Sequence, residues 1–232
     1  MPQQRVALIS GANRGIGEAI ARQLASNGWC VSLGMRTPTS AAWHATDTVQ
    51  VVPYDATDAA GEARWVSAAL ERFGRIDAVV ANAGLMIAKT VVEADEADMD
   101  ALLEVNVKAP RRLAAAAWQA LSVSGRGRVI IMASLSGKRV KSAGSSLYSV
   151  SKFAPLGLAH GLRHSGWELG IRATAICPGF VATDMARRLS TREDAQMTAP
   201  ADLALLINTL LDLPNEASVA ELNINCQLDD SY

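Results

Sequence analysis

The sequence predicts an α/β protein: a doubly wound parallel sheet of about seven strands with helices on both faces, in one domain over residues 1–232. Three observations carry that expectation. Short apolar runs alternate with helical patterns from one end of the chain to the other, with no repeat, low-complexity tract or linker between them. Half of the residues are hydrophobic, enough in a chain of 232 for one sizeable core. Finally, Gly11, Arg36, Asn82, Ser134 and Gly179 all fall just after the apolar runs. In a parallel sheet those positions converge on the carboxyl edge, where ligands bind.

Val6-Ala7-Leu8-Ile9 reads as a buried strand, followed by Ser10-Gly11-Ala12-Asn13-Arg14-Gly15-Ile16-Gly17 and a helical pattern through Leu24. Glycines at 11, 15 and 17 let backbone N–H groups approach a diphosphate, with a helix N-terminus aimed at it. The strand-to-helix context is the one that gives such a loop meaning. Trp29–Gly34 is the second strand. A NAD-binding unit carries an acidic residue near the end of this strand for the ribose 2′-hydroxyl. Here Met35 and Arg36 follow instead, and Arg36 with Arg14 can clamp a 2′-phosphate. The reading is NADP(H) preferred over NAD(H).

Val49–Val52 is a third strand, with Asp58 as the expected N-cap of a helix through Phe73; Asp55 stands in the turn between. Ile76–Val80 is the fourth strand, running into Ala81-Asn82-Ala83-Gly84, small residues that let the chain pass close beneath a flat ring. Asp95 to Val123 is helical in pattern, with Pro110 marking a break or kink between two helices. Asn106 lies inside that pattern, where periodicity does not decide between an exposed and a buried position. Arg128–Ala133 is the fifth strand and ends at Ser134; a polar loop follows from Leu135 to Ser146. Ile171–Cys177 is the sixth strand, ending at Pro178-Gly179. Ala201–Leu211 is a helix and Val219–Asn225 the last strand.

Tyr148 and Lys152 are four positions apart, so a helix places them on one face a turn apart. A phenol with a pKa of about 10 is a poor base at neutral pH, and a nearby ammonium favours the phenolate. Lowering the pKa from about 10 to about 7 needs roughly 4 kcal/mol. Such a phenol could exchange a proton with a substrate oxygen.

Net charge is −1, and no Lys/Arg run supplies a nucleic-acid footprint. The apolar stretch after Met1 is too short for a signal-peptide core, and no run approaches membrane-spanning length. Cys30, Cys177 and Cys226 are far apart in apolar segments and read as reduced, buried thiols. His44, His160 and His164 share no ligand spacing with them, so no metal site is expected. The expected setting is soluble and cytoplasmic, with no nucleic acid or membrane partner.

With these residues assembled, the chain resembles the short-chain dehydrogenase/reductase family over nearly its whole length. The family's TGxxxGxG loop appears as SGANRGIG, its NNAG turn as ANAG at Ala81–Gly84, and its YxxxK as Tyr148–Lys152 with Ser134 upstream. Its Pro-Gly appears as Pro178-Gly179 before Val181-Ala182-Thr183, similar to the family's carboxamide-holding Thr. The resemblance implies a Rossmann-like fold and hydride transfer between NADP(H) and a small carbonyl/alcohol pair. It makes Tyr148 the general acid/base, with Lys152 lowering its pKa and holding the nicotinamide ribose. Ser134 would hydrogen-bond the substrate oxygen, and Asn106 would hold the helix bend and a water relaying protons to Lys152. Asp55 would meet the adenine amino group, and Asn82 would lie near the adenine ribose. It also implies a homodimer or homotetramer, built through the helices around Pro110 and Tyr148 or the C-terminal helix and strand.

The sequence departs from the family pattern at Ser10, in place of Thr, and at Ala81, in place of Asn. Pro155 within the tyrosine helix predicts a local kink beyond the Tyr148–Lys152 pair. The glycine-rich ending frequent in the family is replaced by Asp229-Asp230-Ser231-Tyr232. Ser136 is a spare hydroxyl near Ser134. The substrate loop is expected at about 180–199, with Met86, Leu135, Phe180 and Met185 as apolar wall candidates. Lys138, Arg139, Lys141, Arg187, Arg188 and Arg192 flank it, either as a solvated rim or as attractors of an anionic substrate. The alternative function is a non-catalytic NADP(H)-binding regulator of the same fold. An epimerase with a large substrate domain would need a longer chain.

Overall fold

The computed structural model describes residues 4–228. Seven parallel strands form one sheet in the order β3-β2-β1-β4-β5-β6-β7. They are β1 (Val6–Ser10), β2 (Cys30–Met35), β3 (Val49–Pro53), β4 (Ala78–Ala81), β5 (Arg128–Met132), β6 (Arg172–Pro178) and β7 (Glu221–Ile224). The helices are α1 (Gly15–Ser26), α2 (Gly61–Phe73), α3 (Glu96–Leu103), α4 (Ala109–Val123), α5 (Ser146–Gly166), α6 (Asp184–Leu189) and α7 (Pro200–Asp212). The doubly wound sheet is therefore the one the alternation predicts, with strand ends displaced by a residue or two.

Alternation along each strand splits the core into two layers. Val6 and Leu8 of β1 join Trp65 of α2, Leu113 of α4 and Ala159 of α5 on one face. Ala7 and Ile9 join Ile20 of α1 and Leu203 of α7 on the other. Each fully buried leucine or isoleucine contributes about 1.5–3 kcal/mol by leaving water, which is why the apolar runs could be read as strands at all.

Three local expectations are corrected. Helix α2 starts at Gly61 with Ala60 at the N-cap, not at Asp58. Asp58 instead closes the preceding turn, its carboxylate accepting from the Ala60 N–H at 3.0 Å and pairing with Arg64. The break in the long helix lies at a π-helical segment, Glu104–Lys108, ahead of Pro110, which occupies the tolerated first turn of α4. Cys226 is only partly buried, whereas Cys30 and Cys177 are buried as expected. Helix α5 runs as one helix through Pro155. Asp229–Tyr232 lie outside the described residues, as does Met1.

Candidate active site

Strand order reverses between β1 and β4, and the loops leaving these two strands meet there. Ser10 joins them: its Oγ accepts from the N–H groups of Asn82 and Ala83, both at 3.0 Å. The replacement of Thr by Ser thus keeps the one atom the junction needs. Asn82 Nδ2 donates to the Ser10 carbonyl at 3.0 Å, and Ala81 is buried in the core rather than at the surface. A Cβ on Gly17 would collide with the carbonyl oxygen of Gly11, so only glycine lets this loop fold so tightly. No side chain caps the first turn of α1, whose N-cap, Arg14, is fully extended. Its N–H groups are therefore open to an anion, which fits a dinucleotide diphosphate over Gly11, Asn13, Gly15, Ile16 and Gly17.

At the end of β2, Met35 is buried and Arg36 is exposed, with no carboxylate taking the acidic position. Asp55 lies half-buried near Arg36; hydrogen bonds from Thr57 first, and the Arg36 charge after them, hold its carboxyl below the usual range. Arg14 is not free as the sequence suggests. It reaches across to Asp184 on α6 at 3.3 Å, joining the glycine loop to the substrate segment.

The residues expected to do chemistry come together at the carboxyl ends of β4, β5 and β6. Tyr148, half-buried in the first turn of α5, shares a hydrogen bond with the Ser134 hydroxyl. Ser134 Oγ also accepts from the Ser136 N–H at 3.1 Å and faces the Pro178 carbonyl at 3.4 Å. Ser136 therefore acts through its backbone to hold Ser134. A Cβ on Gly137 would strike the Lys152 carbonyl, so this glycine lets the Ser134 turn seat against α5. Lys138 pairs with Glu221, which also bonds His160 at 2.7 Å, fastening the same turn to β7 and α5.

Lys152 is only 4% exposed and donates to the Met132 carbonyl at 2.8 Å. Its Nζ stands 5.8 Å from the centroid of the Tyr148 ring. Burial pulls its pKa down to about 8, partly offset by the nearby Cys177 thiol. Burial pushes the Tyr148 phenol up to about 12, against the Ser134 hydrogen bond, which lowers it. The expected drop of the phenol toward neutrality is thus not what the protein alone produces. Desolvation of the phenol sets the direction, and the Ser134 hydrogen bond offsets it only in part.

Asn106 is 2% exposed, resolving its position in favour of burial. Its Oδ1 accepts from the Leu85 N–H and its Nδ2 donates to the Leu85 carbonyl and to Ser151 Oγ, each at 2.9 Å. Ser151 in turn donates to the Tyr148 carbonyl at 2.7 Å. The amide thus links the π-helical turn, the loop after β4 and the tyrosine helix. A Cβ on Gly84 would lie 3.5 Å from Asn106 Oδ1 and 3.8 Å from Lys152 Nζ, so all three border one space. Ser151 was missed from sequence, although a buried serine between Tyr148 and Lys152 is itself a signal.

The substrate segment is not a plain loop. Val181 bridges to Thr198, Thr183 caps α6 by accepting from the Ala186 N–H at 3.4 Å, and α6 fills the middle. Phe180 and Met86 are half-buried, but Leu135 is 4% exposed and belongs to the core beneath the site rather than to an open wall. Among the described residues, no three His, Cys, Asp or Glu side chains gather as metal ligands, and no helix is long and apolar enough to cross a membrane.

The short chain dehydrogenase family profile matches residues 5–194. The chain belongs to the short-chain dehydrogenase family. An agropine synthesis reductase of Rhizobium rhizogenes is 36% identical over 237 residues, covering 99% of this chain and 54% of that protein. This short-chain dehydrogenase thus spans about half the length of that relative. An oxidoreductase of Staphylococcus aureus is 30% identical over 95% of this chain and 96% of its own length. A short chain dehydrogenase from Burkholderia cenocepacia, solved in complex with NADP, superposes with a TM-score of 0.84 at 29% identity, covering 97% of this chain and 98% of that one. A short-chain dehydrogenase from Streptomyces avermitilis gives 0.85 at 26% identity, over 95% and 88% of the two chains.

Proposed function

We propose that this enzyme reduces a carbonyl compound to an alcohol, with Tyr148 as the proton donor and NADPH as the preferred cofactor. The observation that carries the reading is the hydrogen bond between the Tyr148 and Ser134 hydroxyls, with a buried ammonium one turn along the same helix. The bound cofactor supplies the hydride. Ser134 donates to the carbonyl oxygen and steadies the charge that develops there. Tyr148, kept protonated by burial, delivers the proton. Lys152, whose pKa of about 8 lies close to ambient pH, restores the phenol's proton from the space it shares with Gly84 and Asn106. Asn106 and Ser151 position the tyrosine helix and the water that such a relay needs.

The uncapped N-terminus of α1 suits the diphosphate, while Asp55, Asn82, Ala83 and Gly84 suit the adenosine half and the ring beside it. Pro178, Gly179, Val181 and Thr183 suit the nicotinamide end. Arg36, and Arg14 once it leaves Asp184, favour the 2′-phosphate. Solubility, a cytoplasmic setting and a homo-oligomer complete the reading. For the last, α5 offers an exposed face with Val150 and Phe153, and Gly157 and Gly161 open to close approach.

Tyr148→Phe tests the reading. NADPH-dependent carbonyl reduction should fall by about 10²- to 10⁴-fold, while NADPH affinity, measured by fluorescence titration, stays near that of the parent. Turnover surviving the substitution would remove Tyr148 as the acid.

A further inference from the structure

The substrate class can be narrowed from the ion pairs at the mouth of the site, given the reductase reading. Lys138 is answered by Glu221, and Arg187 by Asp184 at 3.0 Å and Asp194 at 2.7 Å. These charges are spent inside the protein. Arg188 is exposed on α6. Arg192 is different. It is half-buried on the segment between α6 and α7, and its guanidinium lies 5.8 Å from the centroid of the Phe180 ring. Its side chain donates to the amide oxygen of Gln227, a neutral group, and forms no ion pair among the described residues. The backbone N–H of the neighbouring Glu193 donates to the Gln196 side-chain oxygen at 3.2 Å.

Among the described residues, a half-buried guanidinium held by an aromatic face and one neutral acceptor keeps donors and a full charge unanswered. Its position matters as much. Phe180 follows Pro178-Gly179 directly, and the Pro178 carbonyl faces the Ser134 hydroxyl. Through the Phe180 ring, Arg192 is therefore set against the segment that leaves Pro178, whose carbonyl meets Ser134. We propose that Arg192 receives an oxyanion carried by the substrate, so that the enzyme acts on carbonyl compounds bearing a carboxylate or phosphate away from the reacting C=O. Its planar fork suits either group bidentately.

The test compares kcat/KM, with NADPH, for 4-oxopentanoate, 5-oxohexanoate and 6-oxoheptanoate against their methyl esters, and for dihydroxyacetone phosphate against dihydroxyacetone. At least one anion should be preferred by about tenfold or more, and the preference should shrink toward parity in Arg192→Ala. Preference within the keto acids assigns a carboxylate; preference in the phosphate pair assigns a phosphoester. Gln227→Leu keeps the charge and should keep most of the preference. The proposal is overturned if no anion is preferred, if the preference survives Arg192→Ala, or if Gln227→Leu abolishes it as fully, which would make Arg192 a tether. A second measurement is independent of turnover: binding of hexanoate against 1-hexanol in the presence of NADP, by saturation-transfer NMR. Hexanoate binding lost in Arg192→Ala, with no substrate reduced, would sustain the anion site and sink the reductase reading. Ester reduction without any anion preference would do the reverse, and failure of both measurements would sink both.

Discussion

The two ends of β5 each hold a cation buried to the same extent, and the protein treats them in opposite ways. At the amino end, Arg128 is 4% exposed and donates to the Gly127 carbonyl at 3.0 Å, Asn215 Oδ1 at 2.9 Å and the Leu213 carbonyl at 2.6 Å. Burial, helped by Arg126, Arg172 and Arg5, pulls its pKa down to about 10, still far above neutrality. At the carboxyl end Lys152, also 4% exposed, has one acceptor, the last carbonyl of that same strand, and a pKa of about 8. A guanidinium that meets three acceptors fastens loops together. An ammonium with two of its three donors uncommitted can still bind a ligand or pass a proton. Degree of burial does not separate structure from chemistry here; the number of satisfied donors does.

The contrast breaks if the two substitutions to methionine behave alike. Lys152→Met should lower turnover by about 10²- to 10⁴-fold and leave stability in denaturant within about 1 kcal/mol of the parent, because one desolvated charge is exchanged for apolar volume. Arg128→Met should cost about 3 kcal/mol of stability by stranding buried acceptors, while the folded fraction keeps its kcat. Loss of stability in the first, or of kcat in the second, would erase the distinction.

Cofactor choice should be the next largest effect. Met35→Asp with Arg36→Leu should shift the NADPH/NADH ratio of kcat/KM toward NADH by about tenfold or more; an unchanged ratio would move the 2′-phosphate contacts away from the end of β2.

The lysine also sets a pH signature. Its folded pKa is depressed to about 8 from 10.5, so between these values the unfolded chain holds a proton that the folded chain has released. Stability should therefore rise with pH, by on the order of 1 kcal/mol between pH 8 and 9, and this increment should vanish in Lys152→Met. Above pH 9 Cys177, pushed up from 9.0 to about 11 by burial, works in the opposite direction and flattens the curve. Carbonyl reduction should decline over the same range, as the relay loses its proton near pH 8. Urea midpoints and kcat/KM measured from pH 7 to 9.5 check both.

The smallest effect concerns an exposed ion pair. Arg14 and Asp184 are more than half exposed at 3.3 Å, so their attraction is weak. Asp184→Asn should free Arg14 and tighten NADPH binding by about two- to fivefold, leave NADH unchanged, and lose its effect in high salt. Weaker NADPH binding would show that the pair organises the glycine loop rather than competing for its arginine.

The family motifs were legible because each depends on local chemistry: glycine where backbones touch, a short hydroxyl where a strand ends, a four-residue spacing on a helix. Ser10 shows how far that goes, since any hydroxyl there can join the two loops. Other features depended on contacts distant in sequence. Asn106 reads equally as an exposed or a buried helix residue until Leu85 and Ser151 are seen around it. Ser151 gains its role only through Asn106. The expected kink at Pro110 moved into the π-helical turn because proline is tolerated in a helix's first turn, while Asn106 needed the wider turn to reach its partners.

By itself, then, the sequence determined the order of strands and helices and the sheet edge at which the motif side chains meet. Those follow from hydrophobic period and backbone sterics, which act over a few residues. Only the folded chain decided which charges are answered: that among the described residues Arg187 is ion-paired and Arg192 is not, that Arg128 meets three acceptors and Lys152 one, and that burial favours the protonated phenol. Protonation and pairing depend on desolvation and on partners tens of residues away, and no local pattern encodes either.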